Sequence, residues 1–138
     1  MKDGLTVSFP SHPKYLSVVR AVTGKIANIC GLEETLSEDI KLAVDEACAN
    51  VIKHAYKGDT TKKIILKYIN TQEKFTVIIE DSGVRADLRS IQGRDLEDIR
   101  PGGLGVHFIR RVFDVFTFDE KKPKGNRLVL VKYHGKAE

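Results

Sequence analysis

Three polar side chains at four-residue intervals form the first candidate site in this sequence. Glu46, Asn50 and His54 lie in a stretch with helical spacing, and each four-residue step turns only about 40° around an α-helix, so all three would share one face. That face borders the apolar stripe, at the rim of the core, where the floor of a pocket would lie. A solvated polar flank is the alternative for these three residues taken alone.

A second candidate site is an acidic residue that follows directly on an apolar run. Asp81-Ser82-Gly83 comes after the β-branched and aromatic residues 75–79, so the carboxylate would lie at the carboxyl end of a strand. Ligands of layered α/β domains often bind at such ends. An Asp-x-Gly turn is also ordinary turn chemistry, and the motif alone does not distinguish the two.

Glycines ahead of a helical pattern form the third candidate site. Gly102-Gly103-Leu104-Gly105 leads into the last helical segment, which would bring backbone amides and the positive end of a helix together, as phosphate binding requires. A flexible helix entry is the alternative. The segment lacks the lysine and hydroxyl residue of a P-loop and follows no strand, which argues against both a P-loop and a dinucleotide-binding fold.

The first elements that must position these residues follow from hydrophobic periodicity. Residues 5–9 alternate apolar and polar side chains, as in a half-buried strand. A helix then follows, with Ser11 as its N-cap, Pro13 in its first turn and apolar residues at three- and four-residue steps until Gly31.

A second helix, the one carrying Glu46 and Asn50, opens at Thr35-Leu36-Ser37-Glu38, which fits a capping box. Its apolar stripe continues through Ala55, and Gly58 stops it. The later segments are strands at 64–69 and 75–79 joined as an antiparallel pair, a long loop between 81 and 103, a helix at 104–113, and strands at 115–118 and 128–133.

Composition limits the class of protein. The 138 residues are 41% apolar and 30% charged, which is typical of one soluble globular domain, here spanning residues 1–138. We expect a cytoplasmic protein, because no apolar run approaches the roughly 20 residues of a membrane span and no signal peptide is evident. The net charge of +4 is dispersed, which argues against direct nucleic-acid binding. Cys30 and Cys48 fall at apolar helical positions and read as buried hydrophobes.

The order of the three motifs resembles the GHKL ATPase family. The segment from Glu46 to Tyr56, then Asp81-x-Gly83, then Gly103-Leu104-Gly105-Val106 carries the resemblance, and the region after Asn50 is most similar to the anti-sigma-factor serine kinases. The resemblance covers nearly the whole chain. It implies an α/β fold, an α+β two-layer sandwich in which one mixed, largely antiparallel sheet is covered on one face by helices, with ATP between the two layers.

The resemblance also implies roles for particular residues. Asn50 matches the asparagine that holds Mg²⁺ against the triphosphate, and Glu46 matches the glutamate proposed as general base. Asp81 matches the aspartate that accepts a hydrogen bond from the adenine amino group, and Gly83 would let the backbone approach the base. The nucleotide site would be completed by Gly103, Leu104, Gly105, Val106 and Asn126, with Arg100 and Lys124 as nearby positive charges for the phosphates.

Two positions stand apart from this pattern. Arg85 occupies the place where many relatives carry a second glycine, so the loop after Asp81 is expected to close differently. His54 is often found in this subfamily, but the spacing demands no chemical role for it, and it is interpreted as a pocket-wall histidine.

The resemblance implies an anti-sigma factor and protein serine/threonine kinase that uses Mg-ATP, phosphorylates a small STAS-type anti-sigma-factor antagonist and regulates transcription by partner switching. Its partners would be that antagonist, a sigma factor and a second copy of the chain in a homodimer. A non-catalytic, ATP-responsive anti-sigma or adaptor module is the alternative. The ATP-binding half of a histidine kinase fits less well, because no helical hairpin carrying a phosphoacceptor histidine precedes the domain.

Overall fold

A computed structural model describes residues 4–86 and 103–135, and of residues 103–105 it describes the backbone alone. In chain order the elements are β1 (Leu5–Pro10), a 3₁₀ turn (Pro13–Tyr15), α1 (Leu16–Ile29), α2 (Glu34–Asn50), a π-helical turn (Val51–Ala55), β2 (Lys63–Asn70), β3 (Lys74–Asp81), α3 (Gly103–Val112), β4 (Val115–Phe118) and β5 (Asn126–Tyr133). None of the helices in these ranges is long and apolar enough to cross a membrane.

The five strands form one sheet in the order β1-β2-β3-β5-β4. All four pairings are antiparallel, so the largely antiparallel sheet is confirmed, and the described residues contain no parallel pair that would make it mixed. Because β5 lies between β3 and β4, the last residue of β3, Asp81, is directly opposite the first residue of β5, Asn126. Two residues 45 positions apart in sequence thereby become neighbours.

The core lies between one face of this sheet and the helices. Along β2 the side chains of Ile64, Leu66 and Tyr68 are fully buried, while the alternate residues are partly exposed, as the period of two predicts. The Tyr68 hydroxyl shares a buried hydrogen bond of 2.7 Å with Thr23 of α1. This arrangement confirms the predicted α/β sandwich with helices on one face of the sheet.

Helices α1 and α2 pack against each other, and their first residues differ from two predicted caps. The first helical segment ends at Gly31, whose φ of 80° only glycine adopts easily, as predicted. Ser11 is not its N-cap; it is buried, and its hydroxyl donates to the Asp59 carbonyl at 2.7 Å, while the His12 ring accepts from the Lys14 amide. The capping box is also wrong, because α2 begins at Glu34 and Thr35 lies inside it.

A π-helical turn follows α2 where the sequence predicted an uninterrupted α-helix. The amide of Tyr56 donates to the carbonyl of Val51, five residues back, at 2.9 Å. Such turns insert one extra residue and are frequent at functional sites. The predicted stop at Gly58 is correct, since its φ is 84°.

Candidate functional site

A cavity of about 340 Å³ opens between the helices and the end of the sheet where β3 finishes and β5 begins. Its volume is within the range of small-molecule sites, which combine apolar walls with a few polar groups. The apolar lining is Ala47, Val51, Ala55, Ile79, Val84, Ala86, Val106, Ile109, Phe116, Phe118 and Leu128, and the polar lining is Asn50, His54, Lys57, Asp81, Arg85 and Asn126.

Asp81 is a buried carboxylate held by two donors. The Gly83 amide donates to one oxygen at 2.8 Å, and the Asn126 side-chain amide lies 3.0 and 3.2 Å from the two oxygens. Burial raises the pKa of Asp81, and the hydrogen bonds from Gly83 and Asn126 oppose that rise only in part. A carboxylate oxygen can accept two hydrogen bonds, and Oδ2 of Asp81 accepts one, from Asn126, so the group retains capacity for a ligand donor.

Asn126 connects Asp81 to the chain segment that follows it. Besides Asp81, its amide nitrogen donates to the Val84 carbonyl at 2.9 Å, and its oxygen accepts from the Ala86 amide at 2.8 Å. Donors and acceptors on both sides fix the orientation of this amide. Asn126 is therefore fully engaged in holding the rim of the cavity, and a nucleotide would meet Asp81 in an orientation that Asn126 sets.

Two glycines let this rim close tightly. A Cβ on Gly83 would collide with the Ala55 carbonyl, which also accepts a hydrogen bond from the Val84 amide at 2.8 Å. Gly125 has a φ of 75°, and a Cβ there would collide with the Asp81 carbonyl. Gly83 thus packs against the π-helical turn, and its approach to a base stays a prediction.

The three polar residues spaced by four do not all reach the cavity. Asn50, half-buried at the end of α2, and His54 in the π-helical turn both line it. Glu46 is exposed one turn before Asn50 and is not among the described residues that line the cavity. The predicted shared face thus leads from solvent at Glu46 into the cavity at Asn50.

A model of the histidine kinase-like ATPase domain matches residues 9–132 of this sequence. The chain belongs to this family. The serine-protein kinase RsbW of Listeria monocytogenes is 34% identical over 96% of the chain and 88% of its own length. The RsbW proteins of Bacillus licheniformis and Bacillus subtilis are 28% and 27% identical, each over 81% of the chain and 75% of their own length.

Membership of the histidine kinase-like ATPase family confirms the resemblance to GHKL ATPases and implies that this chain uses ATP. The described residues contain no group of three His, Cys, Asp or Glu side chains that could hold a metal ion by themselves.

The glycine-rich motif of this ATPase lies at the start of α3. Gly103, Leu104 and Gly105 form the beginning of that helix, and Val106 in its first turn lines the cavity. Arg100 lies outside the described residues. Lys124 is exposed in the turn between β4 and β5 and is not among the described residues lining the cavity.

Tyr56 and Arg85 are among the contributors to the site that were not predicted from the sequence. Tyr56 connects the π-helical turn to the end of β3, because its hydroxyl accepts from the Ser82 amide at 2.9 Å and bonds the Lys63 carbonyl. Arg85 lines the cavity and bonds the turn before β5. The only sequence signal for Arg85 was a cation standing where a glycine was expected.

Proposed function

We propose that this chain is an ATP-dependent protein serine/threonine kinase and anti-sigma factor, which phosphorylates a small STAS-type antagonist and regulates transcription by partner switching. The observation that carries the proposal is that Asn50, Asp81 and the start of α3 meet at one cavity. Relatives that match most of the chain's length are named serine-protein kinases, which supports it. The kinase domain is taken to span residues 1–138.

ATP would lie with its adenine at Asp81 and its phosphates toward the start of α3. The ionised Asp81 carboxylate can accept a hydrogen bond from the adenine amino group. Guanine carries a carbonyl oxygen at the matching position, which cannot donate, so the site favours adenine. The walls around Ile79, Ile109 and Phe116 would cover the base with apolar surface. Amides of Gly103, Leu104 and Gly105 would face the phosphates; Arg100 and Lys124 remain predicted phosphate contacts.

Asn50 would hold the magnesium ion. Its carbonyl oxygen adds no charge to a site that must also take a triphosphate, and Mg²⁺ commonly keeps several waters and phosphate oxygens beside one or two protein ligands. The ion would neutralise charge that develops on the phosphates during transfer.

Glu46 would act as the general base toward the partner's hydroxyl. The exposed position of Glu46 suits this role, because a serine or threonine on another protein must reach it from solvent. As the hydroxyl oxygen bonds to the γ-phosphorus and the bond to ADP breaks, the hydroxyl proton passes to the Glu46 carboxylate. Positioning and charge stabilisation supply most of the catalysis in phosphoryl transfer.

One observation favours the non-catalytic alternative: among the described residues, Glu46 is not part of the cavity lining. Incubating the protein with a candidate STAS-type antagonist and ATP labelled in its γ-phosphate discriminates the two functions. A kinase gives labelled phosphoprotein and ADP in equal amounts, with the label on serine or threonine. A binding module gives an ATP-dependent complex without label on the antagonist, which would contradict the kinase proposal.

The proposal also includes a cytoplasmic homodimer formed through β1 and α1. Strand β1 is at one edge of the five-stranded sheet, and Leu5 on β1 and Val18 and Ile29 on α1 are 44%, 49% and 72% exposed. Sedimentation at several concentrations tests it: a dimer that dissociates when Val18 is replaced by aspartate supports this interface, and a wild-type monomer at all concentrations contradicts it.

A further inference from the structure

The guanidinium of Arg85 forms hydrogen bonds with the turn between β4 and β5 (residues 119–125, here the β4–β5 turn). One terminal nitrogen donates to the Lys122 carbonyl at 2.6 Å and to the Gly125 carbonyl at 3.2 Å, and the other donates to the Glu120 carbonyl at 2.7 Å. All three acceptors are backbone groups. A planar guanidinium has donors in a fixed fork and can bind several carbonyls at once, which a single ammonium cannot match.

The β4–β5 turn leads directly into the residues that hold Asp81. Gly125, which Arg85 bonds, packs against the Asp81 backbone, and the next residue, Asn126, binds the Asp81 carboxylate and the Ala86 amide. The contacts of Arg85 therefore form a closed loop. The residue after it, Ala86, binds Asn126, Asn126 follows Gly125 and the β4–β5 turn, and that turn binds the Arg85 side chain.

Arg85 also lies between two cavities. It lines the candidate ATP cavity and a second space of about 350 Å³ that is bounded by Asp119, Glu120 and Gly125. Without the guanidinium, three carbonyl oxygens would converge on a position with no donor, so water would enter there or the turn would move away. Either change acts on the rim that orients Asp81 and Asn126.

We propose that Arg85 is a positioning residue for adenine recognition: by binding three carbonyls of the β4–β5 turn, it holds Asn126 against Asp81. This inference rests on the proposed function, because it concerns the affinity of the same site for adenine nucleotides. The proposed action is at the adenine end of the site, through the rim that holds Asp81, and not through a contact with the phosphates.

Binding of ATP by calorimetry and of adenosine by chemical-shift titration tests the inference on wild type, Arg85→Gln and Asn126→Ala. We expect Arg85→Gln to weaken both ligands by the same factor, about tenfold, since adenosine contains the base without the phosphates. The double variant should lose less than the product of the single losses, because both residues act on one set of contacts. Arg111→Gln on α3 removes the same charge from an exposed arginine and should leave both affinities unchanged.

Three results would overturn the inference. Unchanged affinities in Arg85→Gln would remove any positioning role, a loss for ATP without a loss for adenosine would assign a phosphate contact instead, and losses that multiply in the double variant would separate Arg85 from Asn126. If wild type binds neither ligand, the proposed function fails together with the inference. The three results above overturn only the inference and leave the proposed function in place. Should Arg85→Gln not fold, Arg85→Lys retains the charge but not the fork, and an equal loss for the two ligands is again expected.

Discussion

Asp81 combines burial with hydrogen bonds that leave its carboxylate able to accept one more donor. Burial raises its pKa, and the Gly83 amide and Asn126 lower it by a smaller amount. The carboxylate therefore protonates at a higher pH than an exposed aspartate does. A ligand that donates to the ionised form loses its acceptor over that same pH range.

ATP affinity should fall as the pH is lowered through the raised pKa of Asp81, beginning above the pH at which ordinary aspartates titrate. Calorimetry of ATP binding from neutral to acidic pH measures this fall, with Asp81→Asn as the control, since the amide does not titrate and its weaker binding should lack this fall. Parallel pH profiles for the two proteins would show that Asp81 does not control binding.

Replacing the exposed Glu46 should separate ATP binding from phosphoryl transfer. Glu46→Gln should retain ATP affinity, since the side chain is not among the described residues lining the cavity, and should lose phosphoryl transfer by about 100-fold or more, because the amide cannot accept the proton. Glu38→Gln, an exposed change on the same helix, is the matched control. Transfer to the antagonist at the wild-type rate by Glu46→Gln would remove Glu46 from the mechanism.

At the scale of elements, the π-helical turn and the segment after β3 hold each other in place. The carbonyl of Ala55, at the end of that turn, accepts from the Val84 amide, and the Tyr56 hydroxyl accepts from the Ser82 amide. The local pattern correctly predicted a helical segment through Ala55, but not that the α-helix ends at Asn50 and a π-helical turn follows. It could not reveal the extra residue in the turn, because the contacts that stabilise it come from the segment after β3, 26 or more residues later in the chain.

Gly83 is the position where this contact leaves no room. Gly83→Ala should lower the free energy of unfolding by about 1–3 kcal/mol, because a methyl group meets the Ala55 carbonyl and the backbone can move only by breaking the bond to Val84. It should also weaken ATP binding, since the Gly83 amide holds Asp81.

Denaturant unfolding and calorimetry measure these two effects. Gly135→Ala is the matched control, because a Cβ there meets nothing within 4 Å, and it should change neither quantity. A Gly83→Ala protein as stable as wild type would show that the loop and the π-helical turn are not in firm contact.

For the whole molecule, the order of the strands in the sheet is the feature that local sequence patterns do not predict. The strands, the antiparallel pairing of β2 with β3 and the helical layer followed from local periodicity. Spacing made Asn50 and Asp81 candidate site residues, and the resemblance gave them roles. The insertion of β5 beside β3 is a pairing between distant segments, and it creates the contact between Asp81 and Asn126. The hydrogen bonds of Arg85 depend on the same pairing and so had no local signal.

The opposite face of the sheet carries an ion-pair network centred on Glu80, whose side chain is only 10% exposed. Its oxygens lie 2.8 Å from Lys67 and 3.2 Å from Arg127, which in turn binds Asp119 at 2.9 Å. Burial acts to raise the pKa of Glu80, but the hydrogen bonds and charges of Lys67 and Arg127 together lower it below its usual value. The network therefore connects three adjacent strands, β2, β3 and β5.

The sign of this pKa shift predicts how stability depends on pH. A carboxylate with a lowered pKa stabilises the fold above its unfolded-state pKa, and this contribution is lost as the pH falls through the folded-state pKa. Glu80→Gln should lower the free energy of unfolding by about 1–2 kcal/mol at pH 7, and by much less near pH 3.

Urea unfolding of both proteins at several pH values checks this prediction. Glu73→Gln, an exposed change in the turn between β2 and β3, is the control and should have little effect at either pH. A pH-independent difference between Glu80→Gln and wild type would mean that ionisation of Glu80 does not stabilise the sheet.

Nucleotide binding would show whether the cavity between the helices and the sheet is the proposed Mg-ATP site. Calorimetry would compare ATP with GTP, with and without Mg²⁺, on wild type, Asn50→Ala and Asp81→Asn. The proposed site predicts ATP-selective binding by wild type, a loss of the magnesium dependence in Asn50→Ala and a loss of the preference for adenine in Asp81→Asn. Absence of nucleotide binding by wild type, or equal binding of ATP and GTP, would contradict it.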